Sequence, residues 1–358
     1  MVDPRVKKLA DILVNYSIKV KKGDIINVKG GADAKDLLLE VCKLILKKGA
    51  APRLNVGLPG FAYTYYKHAQ DNILKQDPKI AMYEAKNCQG VIHIGAEYNT
   101  KELTHVDHKK VALRRKHTHK VSEFIVNKQD NWVICEYPTN ALAQDAEMSL
   151  EEFEDFVYGA TNVNWAKEKT RMKKLADVVN KGKKVRIKAK NTDISFSIKG
   201  KKAKICAGDR NMPDGEVFTE PVKHSVEGHI EYTFPAIYGG VEVDGVKLDF
   251  KKGKVVKATA KKNEEYLHKM INIDPGASYL GEFGIGTNYG LKKFVKQILF
   301  DEKIGGTIHL ALGMAYKETG GENKSALHWD MIKDMRENGE LWIDDKLIQK
   351  NGKFLIKF

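Results

Sequence analysis

The chain is poor in cysteine and has no long apolar segment, and both absences limit the classes of protein to which it can belong. Among its 358 residues only four are cysteines, and no two of them form a CxxC pair. Scattered thiols are typical of reduced proteins rather than of a disulfide framework. The N-terminal stretch has no sustained apolar core of signal-peptide length, and no run is long enough to span a membrane. We therefore expect a cytoplasmic protein that has no membrane partner.

Nucleotide-binding motifs are missing as well. The sequence Gly-Gly-Ala-Asp at 30–33 does not match GxGxxG, and GxxxxGK[ST] occurs nowhere in the chain. The glycines of the stretch 281–290 have the wrong spacing for a dinucleotide loop. The first half is therefore expected to be a scaffold that binds no dinucleotide.

The composition is that of a soluble globular protein with a basic balance. Hydrophobic residues make up 42% and charged residues 30%, and the formal net charge is +14. A basic balance can indicate nucleic-acid binding, yet the densest basic segment, 109–120, predicts a helix with a solvated face. No aromatic-rich RNA-binding motif or zinc finger accompanies it. Nucleic acid is thus an unlikely partner, and tight, salt-sensitive binding would be needed to favour an RNA-associated protein.

Helices and short apolar strands alternate through the first half of the chain. Helices are predicted at 4–16, 34–48, 61–86 and 101–120, and strands at 24–28, 52–57, 90–95 and 131–136. This alternation indicates βαβ units and a mostly parallel sheet. Within the strand 90–95, His93 is expected to be a buried structural residue.

Beyond the segment Lys-Gly-Lys-Lys at 181–184 the pattern changes to hairpins. Strands are predicted at 185–188, 194–198, 204–207, 241–250 and 254–260, and helices at 263–270 and 290–299. Asp244-Gly245 predicts a hairpin turn inside the stretch 241–250. We therefore expect two domains. They are a Rossmann-like α/β scaffold at 1–180 and an α+β domain at 181–358, whose antiparallel sheet carries the functional site.

Side chains that can bind metal ions gather in the segment 280–330. They are Glu282, His309, Tyr316, His328 and Asp330, all nitrogen or oxygen donors without a thiolate. Such donors suit zinc, cobalt or manganese in a hydrolytic site. In a strand through GTIHLALG, the residues on the face of His309 are small, which leaves room for an ion. If His-Trp-Asp at 328–330 is extended, its first and third side chains point the same way.

Each of these features also has a structural interpretation. A single histidine in an apolar strand is usually a hydrogen-bonded core residue, and His-Trp-Asp can begin a helix with Asp330 as its cap. Tyr316 can be a strand-end tyrosine that packs on Leu312 or near Trp329. Composition and spacing alone leave the metal site and the structural interpretation equally open.

Four ordered motifs resemble the thermophilic metallo-aminopeptidase family, of the aminopeptidase T and aminopeptidase S type. They are NMPDGEVFTEPV at 211–222, LGEFGIGTN at 280–288, FDEKIGGTIHLALGMAY at 300–316 and GGENKSALHWDMI at 320–332. The resemblance implies a homodimeric exopeptidase with two divalent metal ions and peptide substrates that have a free N-terminus. The metal ligands it implies are Glu216, Glu282, His309, Tyr316, His328 and Asp330. Glu220 also lies in the first motif, but Glu216 matches the family position better.

The expected reaction is removal of the N-terminal residue of a peptide by a hydroxide that the two ions generate from water. One ion would polarise the first peptide carbonyl, and the substrate's α-amine would bind the other ion or a nearby carboxylate. Glu282 is a candidate general base, although we expect it to be a ligand, and Tyr316 is the second candidate catalytic residue. A non-catalytic or RNA-associated basic protein of the same fold is the alternative, and it would bind no stoichiometric divalent ion.

Overall fold

The computed structural model of the chain describes residues 2–128 and 131–356. Tertiary contacts group the chain into two compact units, the first made of Met1–Asn162 with Gly208–Pro213 and the second of Val163–Ala207 with Asp214–Phe358. The helix Trp165–Lys181 belongs to the second unit by its contacts, so this grouping differs from the domain boundary expected at residue 181.

The first unit alternates helices and strands as its sequence predicts. Its helices are α1 Pro4–Asp11, α2 Lys35–Lys47, α3 Phe61–His68, α4 Asp71–Leu74, α5 Lys79–Asn87, α6 His108–Lys128, α7 Asn140–Asp145 and α8 Leu150–Thr161. Its strands are β1 Ile25–Gly31, β2 Ala51–Gly57, β3 Gly90–Gly95, β4 Trp132–Glu136 and β8 Asn211–Met212. The helix expected at 61–86 is divided into three, and the basic helix begins at His108 rather than at residue 101.

The five strands of this unit form a parallel sheet, which confirms the expectation of βαβ units. Within the described residues the strand order is β2-β1-β3-β4-β8, and every pairing is parallel. This order corresponds to flavodoxin-like doubly wound sheets and differs from the Rossmann order. The prediction that His93 is buried was wrong, because its side chain is exposed while Val91, Ile92 and Ile94 of the same strand are buried.

The second unit is built mainly from antiparallel strands. Its helices are α9 Trp165–Lys181, α10 Glu264–Ile271 and α11 Ile298–Asp301. Its strands are β5 Lys184–Ala189, β6 Thr192–Ser197, β7 Lys204–Cys206, β9 Glu216–Thr219, β10 Glu227–Glu231, β11 Ala236–Tyr238, β12 Val241–Val243, β13 Lys247–Lys251, β14 Lys254–Thr259, β15 Leu280–Gly286, β16 Thr307–Gly313, β17 His328–Asp334, β18 Glu340–Ile343, β19 Lys346–Lys350 and β20 Lys353–Phe354.

Two larger antiparallel sheets organise these strands, so the expected antiparallel half is confirmed. In the described part of the chain the larger has the order β14-β13-β10-β6-β5-β18-β19-β20, and the second has the order β17-β16-β15-β9-β7. The central strands β15 and β16 of the second sheet are buried at every position, so side chains on both of its faces are shielded from water. A polar side chain on either face therefore needs a partner.

Two local predictions for this half were wrong. Gly245 does adopt a turn conformation with φ +66°, but it leads the chain from β12, which pairs with β11, to β13, which pairs with β10 and β14. The helix expected at 290–299 is absent apart from the start of α11. There the N–H groups of Val295 and Gln297 donate to the carboxylate of Asp301 instead of joining a helical ladder.

Within the described residues, no helix combines the length and the apolar character needed to cross a membrane.

One close approach fixes the centre of the second sheet. Gly284 on β15 pairs directly with His309 on β16, and opposed residues of an antiparallel pair share a face. A Cβ atom added at Gly284 would lie 2.0 Å from Nε2 of His309. The imidazole therefore occupies the space that any larger residue at position 284 would fill.

Gly284→Ala is expected to destabilise the chain, since the added methyl group forces the buried imidazole or the backbone to move. Overpacking of this kind costs about 1–3 kcal/mol in the free energy of unfolding. Denaturant unfolding measures the change, and Gly159→Ala is the matched control because a Cβ there meets no atom within 4 Å. Equal stability of Gly284→Ala and the wild-type chain would contradict the close contact.

Candidate metal centre

The candidate ligands lie on one face of the sheet β17-β16-β15-β9-β7. Glu282 pairs with Ala311, and Ala311 pairs with Asp330, so these three residues form one row across the strands. His328 lies beside this row, opposite Gly313. Since β16 and β17 are extended as the sequence predicts, their alternating positions converge on this face.

Two imidazoles enclose the carboxylate of Glu282. Nε2 of His309 lies 3.4 Å from Oε1 of Glu282 and 3.2 Å from Oε2 of Glu216. Nε2 of His328 lies 3.4 Å from Oε2 of Glu282 and 3.4 Å from Oδ2 of Asp330. Each oxygen of Glu282 thus belongs to a separate triad of donors, and the two triads share that residue.

The spacing of these donors fits divalent ions. Two donor atoms bound to one tetrahedral zinc ion at 2.0–2.1 Å are about 3.3 Å apart. The four nitrogen–oxygen separations of 3.2–3.4 Å match this value. Moreover, Oε2 of Glu216 and Oδ1 of Asp330 are buried and accept no hydrogen bond from the described residues. Buried oxygens of this kind need a partner, and a cation supplies one.

A backbone contact orients His328 for such a role. Its Nδ1 lies 2.9 Å from the carbonyl oxygen of Met314 and donates to it as N–H. That tautomer leaves the lone pair of Nε2 directed at Glu282 and Asp330, as in metal sites where a second contact fixes the ring.

The electrostatics of the cluster also call for cations. Burial opposes ionisation of Asp330, but the neighbouring His328 lowers the pKa of the Asp330 carboxyl to about 2. Burial would lower the pKa of His309, yet Glu282 and Glu216 raise it to about 9. Without other cations the imidazoles therefore hold protons against the carboxylates. Metal binding must displace those protons, so ion affinity should weaken at low pH.

Sequence reasoning missed two residues at this site, Glu302 and Lys303. Glu302 has an oxygen within 4.8 Å of donor atoms of His309 and Asp330, and burial raises the pKa of its carboxyl to about 7. Lys303 is fully buried, with Nζ 2.9 Å from Oε1 of Glu216 and in contact with the Glu302 carboxylate. In the sequence the pair resembles a solvated charge run. The one signal was its place inside the FDEKIGG motif.

Tyr316 and Glu220 differ in their relation to the cluster. The ring of Tyr316 lies edge-on to His328, with centroids 5.1 Å apart, and burial raises the pKa of its phenol. The structural interpretation packed this tyrosine on Leu312 or near Trp329. Its ring contacts Phe218 and His328, and the ring of Trp329 packs against Tyr238 and Tyr266. Glu220 is buried with Oε1 3.3 Å from Nζ of Lys201 and belongs to none of the donor groups in the described residues.

Comparison with known proteins is consistent with this site. The family model described as "Thermophilic metalloprotease (M29)" matches residues 2–354. The chain is 25% identical to aminopeptidase AmpS of Bacillus subtilis (strain 168) over 92% of this chain and 93% of that protein. It is 26% identical to aminopeptidase 2 of Geobacillus stearothermophilus over 89% of this chain and 86% of that protein.

Solved structures share the fold. Wild-type AmpT from Thermus thermophilus superposes with a TM-score of 0.86 at 21% identity, covering 98% of this chain and 99% of that one. The 2,5-dihydroxypyridine dioxygenase of Pseudomonas putida KT2440 superposes with a TM-score of 0.60 at 13% identity, covering 98% and 97%. The family model covers nearly the whole chain, and the chain therefore belongs to the thermophilic metalloprotease family as a metallo-aminopeptidase.

Proposed function

We propose that this metallo-aminopeptidase releases N-terminal residues from peptides at a centre of two divalent ions, which zinc, cobalt or manganese can supply. The observation that carries the proposal is the pair of donor triads that share Glu282. Glu216, Glu282 and His309 would hold one ion, and Glu282, His328 and Asp330 the other. We propose Tyr316 as a further ligand, because the resemblance of its motif to the family implies it.

Charge balance supports two ions rather than one. The donor groups contain the carboxylates of Glu216, Glu282, Glu302, Asp330 and Asp214, and Lys303 supplies one positive charge against them. One dication would leave a negative site, which repels an anionic nucleophile. A second dication would offset most of the remaining negative charge, so that the site could hold an anionic nucleophile.

When bound, the ions would lower the pKa of a water molecule and polarise the peptide carbonyl. The side chains have separate tasks. Glu282 directs one oxygen at each imidazole, so it would help to hold both ions, and we assign it as a ligand rather than as the general base. Tyr316 lies beside His328, and its oxygen can bind an ion or donate a hydrogen bond to the oxyanion of the transition state.

Peptide hydrolysis tests this function directly. We expect the metal-loaded chain to shorten peptides with a free α-amine one residue at a time and to leave their N-acetylated forms intact. His328→Ala, which removes a donor shared with Glu282 and Asp330, should lose activity and about one equivalent of metal by elemental analysis. Cleavage of N-acetylated peptides at a similar rate would rule out the exopeptidase assignment.

Tyr316→Phe tests the hydroxyl alone, because the ring and its contacts with His328 and Phe218 remain. Loss of one transition-state donor lowers kcat by about one to three orders of magnitude. Thermal stability and the ion bound through the histidines should be nearly unchanged. Steady-state kinetics with saturating metal measures the effect, and wild-type kcat and KM would leave the tyrosine with a packing role only.

A homodimer in the cytoplasm completes the proposal, and the sheet of the first unit offers a surface for it. In the described residues β2 is an edge strand, and Leu54 and Val56 on it are 38% and 45% exposed. Leu58 and Phe61, which follow it, are 68% and 63% exposed. An open edge with apolar side chains is commonly covered by another chain, and the scattered thiols suit a reducing compartment.

Sedimentation equilibrium tests this surface. We expect a dimeric mass for the wild type and a monomeric mass for Val56→Lys, because the introduced charge would be buried without a partner at the interface. Val256→Lys is the matched control, since Val256 is 60% exposed on the edge strand β14 of the other unit. A wild-type monomer, or equal masses of the two variants, would contradict the assignment.

A further inference from the structure

Lys303 is an unusual component of the cluster, since a fully buried ammonium group lies among the candidate ligands. Its side chain has no exposed surface, and Nζ lies 2.9 Å from Oε1 of Glu216 and contacts the carboxylate of Glu302. Two carboxylates face this ammonium group at ion-pair distance, one from Glu216 and one from Glu302. The cluster therefore contains a positive charge of its own.

This charge is placed unevenly between the two donor triads. In the triad of Glu216, Glu282 and His309, Oε1 of Glu216 bonds to Lys303, and only its Oε2 faces His309. In the triad of Glu282, His328 and Asp330, the described lysines and arginines form no ion pair with either carboxylate, and Lys303 acts on Asp330 only from beyond ion-pair distance. A dication at the first triad would thus share a carboxylate with an ammonium group and would be repelled by it.

We propose that Lys303 makes the Glu216–Glu282–His309 subsite the weaker of the two, so that the chain loads its ions in a fixed order. The Glu282–His328–Asp330 subsite fills first, and the Glu216 subsite fills only at higher metal concentration. The inference rests on the proposed two-ion centre. It assigns Lys303 as a positioning residue, which acts through Glu216 and does not contact substrate.

The same geometry predicts whether replacing Lys303 strengthens or weakens metal binding. Without the ammonium group, Glu216 would offer both oxygens, and the cluster would lose one positive charge. A hydrogen bond to a charged group corresponds to about a ten- to hundredfold change in an equilibrium constant. Removing the lysine should therefore tighten the weaker step, while the metal-free chain becomes less stable because its carboxylates lose a buried counter-ion.

Titration of the metal-free chain with Co²⁺, followed by calorimetry and by the visible absorption of the ion, tests the proposal. For the wild type we expect two equivalents whose dissociation constants differ about tenfold or more. Lys303→Met should tighten the second binding step about tenfold or more, so that the two dissociation constants become similar. Lys303→Arg keeps the charge and should keep the difference between the two constants. His309→Ala should remove the weaker step and leave the tighter one.

Lys333→Met is the matched control. Lys333 is also a buried lysine of the same sheet, but its Nζ donates to the carbonyl oxygens of Lys190 and Glu231 and to no candidate ligand. Its loss should destabilise the fold without changing the difference between the two dissociation constants. If Lys303→Met does not fold without metal, refolding it with Co²⁺ and measuring the release of each equivalent to a chelator gives the same comparison.

The outcomes separate this inference from the proposed function. A wild type that binds a single equivalent overturns both the two-ion centre and the role of Lys303. A wild type that binds two ions and cleaves peptides, but with equal affinities, overturns the inference alone. The inference alone is also overturned if the two dissociation constants still differ in Lys303→Met, or if they become equally similar in Lys333→Met.

Discussion

The main constraint on the second unit is that several carboxylates lie close together away from water, and holding them there costs free energy. Glu216 and Glu282 are about 5% exposed, and burial raises the pKa of the nearby Glu302 carboxyl to about 7. Ionised groups in such surroundings are tolerated only when opposite charges or hydrogen-bond donors face them. Lys303 and protonated imidazoles offset part of this charge, and divalent ions would offset the rest. Affinity for cations is therefore built into the sheet and does not depend on one loop.

The sheet can support this cluster because its small residues make room at the required register. Gly284 accommodates the ring of His309, and Ala311 lies between Glu282 and Asp330 in the same row. The donors come from adjacent strands, and cross-strand pairing fixes their separation more firmly than a flexible loop would. A shift of one residue in register would turn each donor to the opposite, apolar face.

Local sequence patterns predicted much of this architecture. The predictions failed where contacts between residues distant in the sequence determine the local structure. The alternation in GTIHLALG and His-Trp-Asp correctly predicts β16 and β17, since a two-residue period depends only on neighbouring positions. The stretch 290–299 has helical composition, but Asp301 binds its N–H groups and prevents the ladder. Glu302 and Lys303 look like surface charges in the sequence, because only the folded sheet places them against Glu216 and His309.

Shared architecture alone would not select a peptidase. The dioxygenase of Pseudomonas putida superposes over nearly the whole chain with a TM-score of 0.60, although its name gives an activity of another class. Function in such folds resides in the side chains that the scaffold presents. In this chain the scaffold presents a carboxylate, Glu282, between two histidines, and Lys303 forms an ion pair with Glu216 of one donor triad only. The two triads therefore differ in the counter-charge that faces them, although they share one carboxylate.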